Sequence, residues 1–118
     1  MLMTELHKAV RDLPGPIAAD LHEEEHSYLV VADVPGASLE GTHVDVTDEK
    51  IRVSAKRQLV DAEDATVVRR DRSEHLELEL PVPADALEEA AEASLANGVL
   101  EIRLPRGAPG TDIPIVEE

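Results

Sequence analysis

Residues 22 to 26, His22-Glu23-Glu24-Glu25-His26, fit the string H-E-x-x-H. On a helix that string puts two zinc-binding imidazoles on one face and makes the glutamate the general base of a peptidase. Such a centre needs a stable helix, a third ligand and a cleft. Pro14 and Pro16 lie just upstream, a strand-like Ser27-Tyr28-Leu29-Val30-Val31 begins directly after, and only Leu21 and Tyr28 are apolar enough to anchor a helix there. The spacing suits zinc but the surroundings do not, so a solvated acidic turn is expected. His7, His43 and His75 stand apart from any cysteine or clustered carboxylate motif and read as surface or strand residues. No glycine-rich phosphate loop, nucleophile elbow or Ser/His/Asp pattern is present. The expectation is a protein that is not an enzyme, with no catalytic residue, no metal site and no cofactor.

The elements that carry these residues belong to an acidic chain. Eleven Lys and Arg stand against 26 Asp and Glu in 118 residues, a formal charge of −15. That surface repels phosphate backbones, so no nucleic acid and no anionic membrane is expected as a partner. The hydrophobic fraction of 42% and the strand-like patterning set the chain apart from disordered acidic sequences. Tyr28 is the sole aromatic residue, and there is no cysteine to form a disulfide or thiolate metal site. No run approaches about 18 consecutive apolar residues and the start lacks a signal-peptide pattern, so a cytoplasmic protein is expected. Acidic surface, few lysines and small apolar side chains suggest a halophilic, salt-adapted protein. In molar salt the Debye length shrinks to about 3 Å and self-repulsion is largely screened.

Leu2, Leu6, Val10 and Leu13 recur at helical intervals and predict one short amphipathic helix, ended by Pro14-Gly15-Pro16. After that the period becomes two. Residues 27 to 34 read as a strand closed by Pro35-Gly36. Val44 and Val46, a Thr47-Asp48-Glu49-Lys50 turn, then Ile51, Val53 and Ala55 read as a hairpin with one buried face. Residues 66 to 72 form a short strand candidate set among charges. Leu76, Leu78 and Leu80 alternate with Glu77 and Glu79 until Pro81. Asn97-Gly98, between Leu95 and Leu100, Ile102 and Leu104, is a strong hairpin signal. Residues 84 to 98 are rich in Ala, Glu and Leu, and propensity alone would make them a helix capped at Asn97-Gly98. At most a turn or two near residues 85 to 89 is assigned here, with a strand over 91 to 96. Several short strands at this spacing indicate an antiparallel sandwich. The last stretch opens with Gly107 and Pro109 and then shows an isolated apolar patch, Ile113-Pro114-Ile115-Val116.

These pieces, in this order, resemble the small heat-shock proteins, the alpha-crystallin domain family. Ala93, Asn97, Gly98, Val99 and Leu100 fit its A-x-x-x-N-G-V-L signature, and Asp33-Val34-Pro35-Gly36 matches its D-[LV]-P-G. Arg70-Asp71-Arg72 is similar to its R-E-R, Leu80-Pro81 to its L-P, and Ile113-Pro114-Ile115 to its I-x-I tail motif. The likeness spans roughly residues 20 to 116. It implies an all-β, two-sheet, antiparallel immunoglobulin-like sandwich over residues 20 to 106, with an N-terminal arm over 1 to 19 and a flexible tail over 107 to 118. The acidic 22 to 26 stretch then becomes a polar bend between strands. The family's F-x-R-R-F-x-L-P is replaced by Glu74-His75-Leu76-Glu77-Leu78-Glu79-Leu80-Pro81, which removes its arginines and phenylalanines.

The resemblance also implies a function. Val67, Val68, Arg69 and Arg70 would form a strand that reaches a partner subunit and makes a two-fold dimer. Dimers would join when Ile113 and Ile115 of one enter a groove lined by Val44 and Val46 on one edge strand and Ala93 and Leu95 on another. Nine residues separate Leu104 from Ile113, a reach of about 30 Å. Two buried isoleucines contribute about 3–6 kcal/mol before entropy costs, so one contact is weak and many together are stable. The expected activity is that of an ATP-independent holdase whose partners are copies of itself and unfolded client proteins. The alternative is an assembly or adaptor protein on the same fold, a gas-vesicle accessory or a co-chaperone-like sandwich.

Overall fold

A computed structural model of the chain describes residues 14–60 and 62–107. The expected helix over residues 1 to 13 and the Ile113-Pro114-Ile115 motif lie outside the described residues. Among the described residues eight strands form two four-stranded sheets: β1 Gly15–Pro16, β2 Ala19–Glu23, β3 Ser27–Asp33, β4 Ala37–Val46, β5 Lys50–Arg57, β6 His75–Pro81, β7 Glu92–Ala96 and β8 Val99–Pro105. One sheet runs β1-β6-β5-β4 and the other β2-β3-β8-β7. All ladders are antiparallel except the short β1–β6 pair, where Gly15 lies opposite Leu76 and Pro16 opposite Glu77.

Register follows from the period-two pattern, because slipping one residue would turn a whole apolar face to water. Tyr28, Val30 and Ala32 of β3 face Leu104, Ile102 and Leu100 of β8 in order, and all six are buried. In the other sheet Ile51, Val53 and Ala55 of β5 lie opposite Leu80, Leu78 and Leu76 of β6. The two inner faces meet in one aliphatic core that also takes in Ile17 and Ala86. Gly15, Pro16 and Ile17 thus belong to the sandwich, upstream of the residue-20 boundary drawn from the sequence.

Two turns fix how the sheets meet. Val34-Pro35-Gly36-Ala37 closes with Ala37 N–H donating to Val34 C=O at 3.1 Å, and Gly36 supplies the positive φ of 83° that a type II turn needs after proline. Asn97 and Gly98 both have positive φ, 52° and 75°, the conformation of a two-residue type I′ hairpin. The turns touch: Val34 N–H donates to Gly98 C=O at 2.7 Å, and a Cβ on Gly98 would sit 3.1 Å from Pro35 Cα. The two sequence signatures, Asp33-Val34-Pro35-Gly36 and Asn97-Gly98, are therefore two halves of one clasp.

The acidic bend lies where the sequence puts it: β2 ends at Glu23, β3 begins at Ser27, and Glu24 N–H donates to Ser27 C=O at 2.8 Å. Residues 88 to 90 make a single 3₁₀ turn and β7 follows, so strand pairing to β8 overrides the helical propensity of this stretch. The expected strand over residues 66 to 72 is a correction. Val67, Val68, Arg69 and Arg70 run irregularly in the link between β5 and β6. A strand needs a neighbour to satisfy its backbone, and no strand among the described residues pairs with this segment.

Candidate functional site

β4 and β7 are both edge strands. Only Ile17 and Ala18 separate β1 from β2, so those two edges share one side of the sandwich, and β4 and β7 are the edges of the other. Edge strands carry a row of unpaired N–H and C=O groups, which template the addition of another segment. Val44 and Val46 lie opposite Val53 and Ile51, on the inner face, yet both remain half-buried. On β7, Leu95 lies opposite buried Leu100 and is half-buried, while Ala93 lies opposite fully buried Ile102 and is exposed. Inner-facing side chains left open to water mark two edges that the chain does not cover with its own described residues. The four groove residues named from the sequence thus all occupy the rims of the sandwich, two on each edge.

A polar cluster holds the point where the chain leaves the last strand. The Tyr28 hydroxyl donates to Asp85, and Arg106 Nε donates to the other Asp85 oxygen at 2.8 Å. Arg106 Nη1 donates to the Glu24 carbonyl at 2.8 Å, and its guanidinium stacks 4.9 Å from the Tyr28 ring centroid. Backbone bonds reinforce this, with Leu87 N–H donating to Pro105 C=O and Gly107 N–H to Asp85 C=O. The hydrogen bond from Tyr28, then that from Arg106, holds the Asp85 carboxyl below its ordinary value. The same bond, with desolvation, pushes the Tyr28 phenol up to about 12. The sequence offered little sign of this cluster, because its members lie far apart along the chain. It fixes the backbone at Gly107, the last of the described residues.

One prediction arises here. Tyr28 is the chain's single tyrosine, so tyrosinate absorbance reports this group alone. Its folded value is raised, so the bond stabilises the fold below the unfolded phenol value near 10, and that stabilisation is lost as pH rises through about 12. Asp85 has the opposite sign: its contribution is present above the ordinary value of 3.8 and disappears as pH falls through the depressed one. Alkaline titration of the native chain is expected to show a midpoint near 12, moving toward 10 in Asp85→Asn. Equal midpoints for the two proteins would remove the Tyr28–Asp85 bond from this description.

His22 closes on β2 and His26 sits in the bend, so the H-E-x-x-H string spans a hairpin and lacks the helical turn that would align its imidazoles. Among the described residues no group of three or more His, Asp or Glu is arranged to hold a metal ion. No helix among them is long and apolar enough to cross a membrane.

The described residues form a small two-sheet β-sandwich whose edge strands β4 and β7 keep inner-facing apolar side chains partly open to water. Residues 20–116 match the Hsp20/alpha crystallin family, and the chain belongs to that family, the small heat shock proteins. It is 32% identical over 97 residues to an 18 kDa heat shock protein of Clostridium acetobutylicum, covering 79% of this chain and 64% of that protein. Over 105 residues it is 27% identical to the heat shock protein HSP.16.4 of Streptococcus thermophilus, covering 84% and 74%. A solved small heat-shock protein from Xylella fastidiosa superposes with a TM-score of 0.72 at 23% identity, over 86% of this chain and 95% of that one. HSP18.5 from E. histolytica gives 0.70 at 20%, over 88% and 99%. The two superpositions bear on fold alone.

Proposed function

We propose that this chain is a subunit of an ATP-independent holdase that acts in the cytoplasm, assembles by docking tails into rims, and catalyses no reaction. The observation that carries this reading is Ala93: it shares a face with the core, lies opposite fully buried Ile102, and is itself exposed. With Leu95, Val44 and Val46 it offers apolar surface beside unpaired backbone, which suits an extended apolar segment. Ile113 and Ile115 supply such a segment. Ile113 lies six positions beyond the anchored Gly107, a reach of about 20 Å, enough to meet a neighbouring sandwich. When rims empty under stress, the same surface receives the apolar stretches of unfolding proteins.

For the dimer, β2 is the edge on the opposite side, and Asp20 and Glu23 make it acidic. Val68 is 84% exposed beside Arg69, so the segment Val67-Val68-Arg69-Arg70 of one subunit complements β2 of another in charge. A neighbour of this kind supplies the ladder that residues 66 to 72 lack within one chain.

Ile113→Gly combined with Ile115→Gly is expected to reduce large assemblies to dimers when measured by light scattering after size exclusion in molar salt. The parent at equimolar subunit is expected to suppress the scattering of a heat-aggregating client. An unchanged particle size would discard the tail mechanism, and undiminished client scattering would discard the holdase reading.

A further inference from the structure

Arg57 ends β5 at a position where Ile51, Val53 and Ala55 set an inner-facing period, and it is only 9% exposed. Its Nε donates to the Ser73 carbonyl at 2.6 Å and its Nη1 reaches the Pro35 carbonyl at 3.5 Å. Both acceptors are neutral. Arg72 approaches the same point beside Gly36: a Cβ built there would be 3.6 Å from Arg57 Cβ and 3.8 Å from Arg72 Nη2. Among the described residues Arg72 makes no hydrogen bond or ion pair, and its neighbour Asp71 is taken by Arg69 at 2.7 Å. No buried side-chain nitrogen of the described residues lacks a partner, so Arg57 Nη2, which neither carbonyl engages, is reachable from solvent.

Burial, then the charge of Arg72, depresses the Arg57 guanidinium below its ordinary value. In a chain carrying −15, two cations set this close, with only backbone carbonyls accepting from Arg57, are unusual. Planar guanidinium forks match the oxygens of carboxylates and phosphates, and a bridging anion would relieve the repulsion at this site.

We propose that Arg57 and Arg72, flanking Gly36, form a receptor for an oxyanion. The ligand comes either free, as phosphate, or as an Asp or Glu carboxylate of a neighbouring copy. Bound there, it ties the Pro35-Gly36 turn, and with it the clasp to Gly98, to the link between β5 and β6.

The test compares the parent with Arg72→Gln, an exposed substitution that leaves the core intact. Thermal midpoints are measured in inorganic phosphate and in chloride at matched ionic strength, with particle size followed in parallel. Phosphate is expected to raise the parent midpoint by about 4–8 °C beyond the response of Arg72→Gln, which retains only the general salting effect. If particle size is unaffected, the occupant is a free anion. If size falls in phosphate or in the variant, with or without a midpoint shift, the occupant is a neighbour's carboxylate. The same midpoint response and the same size in both proteins would overturn the site.

Discussion

Ile102→Ala is expected to destabilise the domain by about 3–5 kcal/mol, enough to leave it unfolded or nearly so at moderate temperature. Ile102 is fully buried at the middle of β8, between Val30 of β3 and Ala93 of β7. Large-to-small changes cost least where neighbours can lean into the gap. Here the surrounding side chains include Val30, Val34, Ile51 and Val53, β-branched and stiff at χ1, and neither Met nor Phe stands among the buried core residues to flow into the space. The change therefore falls in the upper part of the range for such truncations. Leu95→Ala, at the half-open rim, should cost about 1 kcal/mol, since less apolar area leaves contact with protein. Urea unfolding of both variants at constant m-value checks the pair. An Ile102→Ala loss no larger than that of Leu95→Ala would mean that the two sheets close over the gap.

Gly98→Ala carries the second large effect, about 2–4 kcal/mol. The backbone at Gly98 has φ of 75°, where a Cβ costs roughly 1–2 kcal/mol. The added carbon also meets Pro35 Cα at 3.1 Å, and the obstacle is backbone rather than a flexible side-chain end. Asn97→Ala should cost about 1 kcal/mol, because Asn tolerates its φ of 52° with help from its own amide and no comparable crowding surrounds it. The Gly98 substitution is also expected to weaken assembly more than its stability loss explains, since the hairpin sets the register of Ala93 and Leu95. Sizing at a temperature where the variant remains folded would test this, and parent-like assembly would separate the clasp from the rim.

Where one physical signal dominated locally, the fold was legible in the sequence. β3, the β4–β5 hairpin, β6 and the β7–β8 hairpin announce themselves through alternation and turn residues, with Asn97-Gly98 the clearest. β2 is the opposite case. Leu21 is its sole large apolar residue and is itself 46% exposed, so an edge strand with a wet outer face leaves almost no pattern. The first half of β4 was missed because its register breaks between Ala37 and Thr42, where Gly41 passes so close to Lys56 that a Cβ would come within 2.8 Å of its carbonyl oxygen. Residues 66 to 72 read as a strand because β-branched Thr66, Val67 and Val68 run together beside a block of charges, yet pairing depends on a neighbour, which sequence cannot supply. The rim residues Val44, Val46 and Leu95 came out with their strands. Arg57 was detectable in principle: the period that puts Ile51, Val53 and Ala55 inside also puts Arg57 inside. The Tyr28–Asp85–Arg106 cluster was not, since only tertiary packing unites it.

The pairing of β3 with β8 joins one of the first strands made to the last one. During synthesis Val30 and Ala32 must wait until residue 105 has cleared the ribosome before their inner face is shielded. Contacts so distant along the chain form slowly, and a half-made chain with an apolar strand exposed is prone to clump. This chain is thus born with that hazard. Its net charge of −15, although β5 itself is cationic, keeps newborn copies apart until the final strand arrives.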